Sequence, residues 1–460
     1  MIRRCVSSGE VVLEYVVDLD CTINSSSTTK TPSSDLAHAQ TLPLDIVEAI
    51  FKHFSNTLRV QSCHWFPWFL GHICSWWRSV FLGMTAQFWS SFGLQLGLSS
   101  SLVFKQGLAT EIVKFFLRRS PKDPFSFSFM LLHPSGLDAY PPAERACLLS
   151  ILHMVIEESP RWSKATFVID ESLVPALHRV RNRVPLLEDL VFYPLEGLGK
   201  HSISDHTADV FADAPSLTRL SLREILRWKF NWSALTKLNL HVIGDVPNFL
   251  AALSQMKKLE RLNITLEGYP PDKCFFHPVT LPSLKELSSP GTSIFLVLMA
   301  PALQRLSVTR RLTYDFVHNT VTPFFNRSGC KILKLDLSLC PATEVIEIVR
   351  DMLHVTHLSL DRTMDLKHNL DWLTQYHERQ YPAPHLQSVT IFPSVTPIPV
   401  EEVEALQNLI ISRSNRINCE DARKLKALTI IDRKTPIERF DKVRKACNDL
   451  QVQFHHGEEV

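Results

Sequence analysis

The sequence predicts an α/β protein in which a small helical module near the N-terminus precedes a long, irregular solenoid with a parallel sheet. Three features of the 460 residues favour this architecture. A short apolar phrase of the form LxxLxL recurs ten times between residues 185 and 430, segments with helical periodicity lie between its copies, and an aromatic-rich segment precedes them. Repetition of this kind is typical of units that stack into one elongated domain.

The ten phrases share one pattern. Apolar residues occupy the first and fourth positions and, in all copies but one, the sixth, and five copies carry a proline two residues before the first position. The middle apolar residues are Leu190, Leu220, Leu238, Leu262, Leu287, Leu306, Leu335, Leu358, Val389 and Leu428. The copies start at intervals that average about 26 residues, which lies in the range of leucine-rich repeats.

Each phrase is predicted to form a strand, because its second and third apolar residues are two apart and point to one face of an extended chain. Burying the three side chains stabilises one unit by only roughly 1.5 to 3 kcal/mol per side chain. That is too little to order the unit, so the units must stack. Strands joined by returns that run in one direction give a right-handed parallel solenoid.

Some returns are predicted to be helical. Residues 399–412 and 437–450 place apolar residues on one helical face. Upstream of the phrases we expect a helix at 109–119, a strand at 125–131, a helix at 142–158 and a strand near 165–169. The solenoid is therefore expected to occupy residues 92–456 and to be of the leucine-rich-repeat-like α/β type.

One departure from the leucine-rich-repeat pattern is clear. The asparagine expected three residues after the last apolar position is replaced by Ile225, Ile243 and Glu267 in three of the copies. Backbone groups buried at the turns need hydrogen-bond partners. Other residues of this chain must therefore satisfy them.

The composition is that of a large globular chain without a strong charge. The sequence is 45% hydrophobic and 21% charged, with a formal net charge of +2 and a pI near 8.0, so no nucleic-acid partner is expected. The run from Arg413 to Lys445 holds eleven Lys or Arg against five acids, and we interpret it as a solvated outer face. The longest later apolar run, Ile294 to Ala300, is far shorter than the ~18 residues that span a bilayer, so no membrane partner is expected.

The N-terminal stretch from Val11 to Val17 is short and interrupted by Glu14, which does not fit a secretory signal. Ten cysteines occur without a CxxC pair, which favours reduced thiols in the cytoplasm or nucleus. Residues 24–35 are rich in Ser and Thr. We therefore expect residues 1–38 to form a disordered tail.

Residues 39–91 are predicted to form the small helical module. In the opening LPLDIVEAIFKHF, Pro43 suits a first helical turn and Asp45 suits the positive end of the helix. The apolar stripe of this helix is Ile46, Val47, Ile50, Phe51 and Phe54, and a later helix is predicted from Leu70, Ile73, Cys74, Trp77, Val80 and Phe81. About fifty residues cannot bury so many aromatic side chains alone, so part of this surface is expected to bind a partner.

These residues resemble the F-box, especially that of the large fungal F-box proteins in which a leucine-rich-repeat-like solenoid follows directly. The pattern reads LPxDIxxxIF, then LxxICxxWRxV, then FWSS. The matching positions are Leu42, Pro43, Ile46, Ile50 and Phe51, then Leu70, Ile73, Cys74, Trp77 and Arg78, then Trp89. The resemblance covers nearly the whole chain, although Ala86 stands where a proline is usual and Ser75 where a basic residue is common.

The resemblance implies a substrate receptor of an SCF-type ubiquitin ligase. The F-box would bind a Skp-type adaptor, which joins cullin and RING subunits, and the solenoid would hold a target protein. Such a receptor acts by proximity and needs no catalytic residue, because a separate conjugating enzyme transfers ubiquitin. The adaptor-binding positions that the resemblance implies are Leu42, Pro43, Ile46, Val47, Ile50, Phe51, Leu70, Ile73 and Trp77.

Two other classes of function stay open at this point: a repeat-based interaction scaffold without ligase function, and an enzyme whose site follows no familiar motif. The sequence holds no GxSxG, GxGxxG, HExxH or phosphate-loop motif, so we expect neither catalysis nor a cofactor. Cys63, His64, His72 and Cys74 could be imagined as zinc ligands. Cys74 falls on the predicted packing face, however, and we expect no metal site.

Overall fold

In the described part of the chain, fourteen strands form one long parallel sheet. The computed structural model describes residues 2–7, 10–15, 42–55, 73–96, 108–131, 137, 140–195, 209–223, 228–243, 246–267, 278–290, 294–309, 317–338, 340–350, 352–361, 365–375, 382–392, 397–414, 424–431 and 435–456. The described part combines helices and strands as predicted and is consistent with an α/β solenoid. No helix in these ranges is both long and apolar enough to cross a bilayer.

The strands are β1 (Ile2–Ser7), β2 (Glu10–Tyr15), β3 (Ser91–Leu96), β4 (Phe125–Leu131), β5 (Trp162–Asp170), β6 (Asp189–Leu195), β7 (Arg219–Leu222), β8 (Lys237–Ile243), β9 (Arg261–Glu267), β10 (Val279–Thr280), β11 (Glu286–Ser289), β12 (Leu298–Met299), β13 (Arg305–Val308), β14 (Lys334–Leu337), β15 (His357–Asp361), β16 (Ser388–Phe392), β17 (Ala427–Ile430) and β18 (Gln453–His456). The long sheet contains β3 to β9, β11 and β13 to β18 in chain order. Strands β10 and β12 form a separate parallel pair.

The α-helices are α1 (Leu44–Ser55), α2 (Ser75–Gly83), α3 (Ala86–Trp89), α4 (Leu108–Arg119), α5 (Pro142–Glu157), α6 (Val246–Gln255), α7 (Ile294–Val297), α8 (Thr322–Ser328), α9 (Ala342–Arg350), α10 (Leu366–Thr374), α11 (Val400–Ser414) and α12 (Asp441–Asp449). Shorter 3-10 segments lie at Ser159–Arg161, Glu171–Val180, Trp232–Ala234 and Ile437–Phe440, and a π turn lies at Val317–Val321. Strands therefore alternate with helical or 3-10 returns along most of the sheet.

All ten predicted strands are present, and their register follows the apolar phrase. The middle residues pair with one another from strand to strand, as Leu220 does with Leu238 and Leu238 with Leu262. Each of the ten middle residues is at most 2% exposed, and the residue on either side of it points outward. The first apolar residues are also buried, so the phrases build one continuous core along the sheet.

The first strands fill this core with aromatic rings instead of leucines. Phe92 lies 5.3 Å from Phe125 between ring centroids, and Phe127 lies 5.2 Å from Phe167. Aromatic pairs at this separation stabilise a core beyond the area that they bury. The larger side chains explain why the repeat is hard to see upstream of residue 185, since the leucine phrase is absent there.

Several boundaries differ from those predicted. The helix expected over 437–450 is a 3-10 turn followed by α12, and β5 extends on both sides of 165–169. Strand β18 was not predicted, because QFHH lacks the leucine phrase. Within the predicted tail of residues 1–38, the residues of β1 and β2 pair in an antiparallel hairpin, and the Ser/Thr-rich residues 24–35 lie outside the described part.

Arginines serve carbonyl groups at the ends of several helices. In five places an arginine donates to a backbone carbonyl in, or directly after, the last turn of a helix earlier in the chain. The donor and acceptor pairs are Arg119 with Leu82, Arg161 with Ser120, Arg183 with Glu157, Arg327 with Leu298 and Arg413 with Leu373. Such carbonyls lack partners inside their own helix, and a cation is favourable there. These contacts, which we name the arginine bridges, therefore satisfy helix ends and link neighbouring repeats.

Arg413 also corrects the interpretation of the basic run that it begins. The run was expected to be solvated throughout, but Arg413 is 0% exposed, whereas Lys442, Arg444 and Lys445 are exposed as expected. The Arg413 side chain comes from the last turn of α11. It is buried because the carbonyl groups that it serves lie inside the stack of helices.

The alternation of buried and outward residues gives a stability prediction. Leu306→Ala should lower the free energy of unfolding by roughly 3 kcal/mol, because the side chain is 1% exposed and its removal leaves a cavity. Arg305→Ala, one residue away and half-exposed, should cost well under ~1 kcal/mol. Urea denaturation of both variants measures the difference. Equal losses would contradict the strand phase on which the solenoid rests.

Candidate functional site

Helix α1 has one face inside the molecule. Val47 and Phe51 are both 0% exposed. The Phe51 ring lies 5.8 Å from Trp77 and 5.2 Å from Phe81, both on α2. The predicted site residues Phe51 and Trp77 therefore hold the two helices together, and the side chains of Val47, Phe51 and Trp77 are buried.

A flank of α1 beside this buried face is apolar and partly open. Pro43, Ile46 and Ala49 are exposed and Ile50 is half-buried, and the spacing of three and four residues places them along one side of the helix. Ile46 is 45% exposed. We name these four residues the apolar edge. Three of them, Pro43, Ile46 and Ile50, were predicted site residues.

Leu44 extends the exposed apolar surface in the first turn of α1. Its side chain is 53% exposed, and sequence analysis did not select it. The exposure of Leu44 could have been predicted from its position between Pro43 and Asp45, because a side chain in the first turn of a helix has fewer neighbours. Farther along the helix, Lys52 and Glu48 form an exposed ion pair with a 3.0 Å separation. The apolar surface is therefore limited to one end and one side of α1.

The second helix of the module starts later than predicted. Cys74 is the N-cap of α2, and its sulfur accepts a hydrogen bond from the Trp77 amide at 3.5 Å. Leu70 lies outside the described residues, and Ile73 precedes the helix, half-buried against the core. Leu42 is also half-buried against this core. The helical spacing predicted from Leu70 to Cys74 is therefore wrong for Ile73 and Cys74.

Trp89 connects the module to the solenoid. It is 0% exposed, and its indole nitrogen donates to the Met84 carbonyl at 3.1 Å. The ring lies 4.9 Å from Phe81 on α2 and 5.5 Å from Phe116 on α4. One side chain thus packs on a helix of each unit, so the apolar edge is presented by a module that shares the core of the solenoid.

A second surface lies on the outward face of the sheet. Register-equivalent residues on β5 to β14 are Lys164, Asp189, Arg219, Lys237, Arg261, Glu286, Arg305 and Lys334, and we name them the basic row. Six of the eight are Lys or Arg and two are acidic. The mostly basic character was not recognised from sequence, because these residues are dispersed along 171 positions and meet only through the strand register.

The acids of the basic row are already paired. Glu286 lies 3.2 Å from Arg261 and 3.1 Å from Arg305, so one carboxylate is shared by two guanidinium groups. Asp189 lies 3.1 Å from the Arg219 Nε, although the pair is not aligned as a hydrogen bond. Within the described residues, no carboxylate lies at ion-pair distance from Lys237 or Lys334. The basic row therefore has positive charge left over.

Polar residues form a parallel row two positions farther along the strands. Ser221, Asn239, Asn263, Ser288 and Ser307 are its central members, and we name them the polar row. Together with the basic-row residues from Asp189 to Arg305, they line a groove of about 380 Å³, and Lys334 continues the row on the next strand. Amide and hydroxyl groups can donate and accept hydrogen bonds. The groove therefore offers positive charge beside neutral hydrogen-bonding groups.

The positive charge of the basic row affects the pKa of His357 on the next strand, β15. Burial, and then the positive charges of Lys334 and Arg305, hold the pKa of His357 below its ordinary value, while Asp336 acts in the opposite direction. A lowered pKa means that the imidazole is harder to protonate. His357 therefore adds no further cation to the groove at neutral pH.

Of the four residues considered as zinc ligands, only Cys74 lies in the described part of the chain. Cys63, His64 and His72 lie outside it, and Cys74 caps α2. No group of three or more His, Cys, Asp or Glu side chains within the described ranges could hold a metal ion. Burial raises the pKa of the Cys330 and Cys447 thiols to about 11, so both stay protonated at neutral pH.

No protein-family model matches the chain, and no curated protein matches its sequence. The chain itself provides two surfaces suited to binding, which are the apolar edge of α1 and the groove formed by the basic and polar rows.

Proposed function

We propose that the chain is the substrate-recognition subunit of an SCF-type ubiquitin ligase, with the N-terminal module as its F-box and the solenoid as its target-binding part. The observation that carries the proposal is the two-sided character of α1. Val47 and Phe51 are buried on its inner side, where Phe51 packs on α2, while Pro43 and Ile46 on the adjoining flank stay exposed at positions where the F-box resemblance implies adaptor contacts. A soluble partner that covers this edge removes apolar surface from water.

The proposed activity is the joining of two proteins. A Skp-type adaptor on the apolar edge would bring cullin and RING subunits, and a target on the solenoid would be held near the conjugating enzyme. This raises the local concentration of a target lysine beside the ubiquitin thioester without a catalytic group in the receptor. The chain would perform no covalent step.

The experiment is direct binding to a purified Skp-type adaptor. Pro43→Ala combined with Ile46→Ala should weaken binding by at least about hundredfold, because central apolar anchors each contribute about 2 to 4 kcal/mol. Both residues are exposed, so the double variant should keep the melting temperature of the parent. Calorimetric titration gives the affinity.

The chain offers a matched control in Pro436 and Ile437. Ile437 is 45% exposed, the same fraction as Ile46, and it also follows a proline at a helical start. Pro436→Ala combined with Ile437→Ala should leave adaptor affinity unchanged. If the parent chain did not bind the adaptor, or if both double variants bound equally well, the ligase proposal would be rejected in favour of a scaffold without ligase function.

A further inference from the structure

The leftover charge of the groove indicates what kind of ligand it fits. Arg261 and Arg305 share the single carboxylate of Glu286, and Lys237 and Lys334 have no carboxylate at ion-pair distance within the described residues. An incoming carboxylate or phosphate would meet cations that are already held in place by the strands. Charge complementarity of this kind speeds association and selects the partner.

The groove has the dimensions of a short peptide. From Arg219 on β7 to Lys334 on β14 the basic row crosses six neighbouring strands, which at the usual strand spacing span about 24 Å. About seven residues of extended chain cover that distance. Asn239 and Asn263 are paired in register and exposed beside the row, so their amides can bond the backbone of a segment that lies across the strands.

A nucleic acid fits the same groove less well. Non-specific single-strand binding relies on aromatic side chains on which bases stack. None of the described residues of the basic and polar rows between β5 and β14 is aromatic, and Asp189, Glu286 and Asp336 interrupt the positive charge. A continuous phosphate backbone would meet these carboxylates, whereas a peptide can place neutral residues opposite them.

We propose that the basic row and the polar row bind a short, extended acidic segment of a partner protein across strands β7 to β14. The assignment of the groove as the target site of a ligase receptor rests on the proposed function. Its assignment as a peptide-binding site is independent of that function, because the groove residues lie on strands remote in sequence from α1. The cations would bind acidic side chains, and the polar row would bind the peptide backbone between them.

The experiment uses the full chain and four fluorescent probes of defined composition. The first is a peptide of about eight residues in which Glu alternates with Ser, and the second carries phosphoserine in place of Glu. The third carries Lys in place of Glu, and the fourth is an oligouridylate of about eight nucleotides. Fluorescence anisotropy at about 0.05 M and about 0.5 M salt gives each affinity and its dependence on screening.

The acidic peptide should bind, the lysine peptide should not, and high salt should weaken binding. Comparison of the glutamate and phosphoserine probes tells whether the groove prefers carboxylates or phosphates, and either preference supports an acidic segment. Lys237→Glu combined with Lys334→Glu should weaken binding of the better acidic probe by at least about tenfold. Lys442→Glu combined with Lys445→Glu makes the same change of net charge on α12 and should leave binding unchanged.

Equal binding of the acidic probe to both double variants would overturn the proposal, as would tighter binding of the oligouridylate than of either acidic peptide. Absence of binding by both acidic probes would also overturn it. Adaptor affinity is measured on the same samples. If a groove variant loses acidic-peptide binding but keeps adaptor binding, the substitutions affect the groove alone. If the parent chain binds the peptide but not the adaptor, only the ligase proposal is rejected.

Discussion

Trp89→Ala is expected to lower the free energy of unfolding by about 4 kcal/mol, one of the largest effects of any single substitution in the chain. The side chain is 0% exposed and packs on Phe81 of α2 and Phe116 of α4. Its removal leaves a large cavity at the junction of the module and the solenoid, and it leaves the Met84 carbonyl without its donor. Chemical denaturation followed by circular dichroism measures the loss.

Two further variants separate the causes. Trp89→Phe keeps most of the ring but removes the donor to Met84, so it should cost about 1 to 2 kcal/mol. Gln87→Ala changes an exposed residue of the same short helix and should be within ~0.5 kcal/mol of the parent. A Trp89→Ala variant as stable as the Gln87→Ala variant would show that the module does not share its core with the solenoid.

Arg413→Ala should also destabilise the fold by about 3 to 5 kcal/mol, because several charge-assisted hydrogen bonds are lost at once. The guanidinium donates to the Leu373 carbonyl at 2.7 and 3.1 Å, to Ala383 at 3.1 Å and to Pro382. These carbonyl groups would stay buried without the donor. Thermal denaturation and urea titration of the purified variant give the size of the effect.

Arg413→Lys tests whether charge alone is sufficient. A lysine carries the charge but lacks the planar fork, so it cannot serve three carbonyl groups in the same geometry, and most of the loss should remain. Arg444→Ala is the control, since Arg444 is half-exposed and pairs with Asp441 at the surface, and it should cost well under ~1 kcal/mol. If Arg413→Ala cost no more than Arg444→Ala, the arginine bridges would not stabilise the repeats.

The parallel solenoid could be predicted from sequence because each strand is specified by the residues of its own phrase. An apolar residue at the middle of each phrase, leucine in nine copies and Val389 in the tenth, is flanked by outward residues and specifies a strand and its buried face without knowledge of any other repeat. All ten strands predicted from the phrase were found in this way. Arg413 was misjudged for the opposite reason. Its partners Leu373, Pro382 and Ala383 lie 30 to 40 positions away, and no local pattern distinguishes it from the exposed arginines that follow.

The candidate site was only partly predictable for the same reason. Helical spacing identified the apolar positions of α1, but it could not tell that Phe51 packs on Trp77 while Ile46 stays exposed, since this depends on where α2 lies. The basic row depends even more on the fold. Lys237 and Arg261 are separated by 24 positions in the sequence and are paired in the sheet.

Recovery of cullin with the full chain from cells tests the central claim most directly. The tagged parent chain should bring down the adaptor and cullin together, the Pro43→Ala, Ile46→Ala variant should bring down neither, and the Pro436→Ala, Ile437→Ala control should bring down both. The chain with the altered apolar edge should still retain proteins that bind the solenoid. Equal recovery of cullin with all three chains, or no recovery with any of them, would contradict the account.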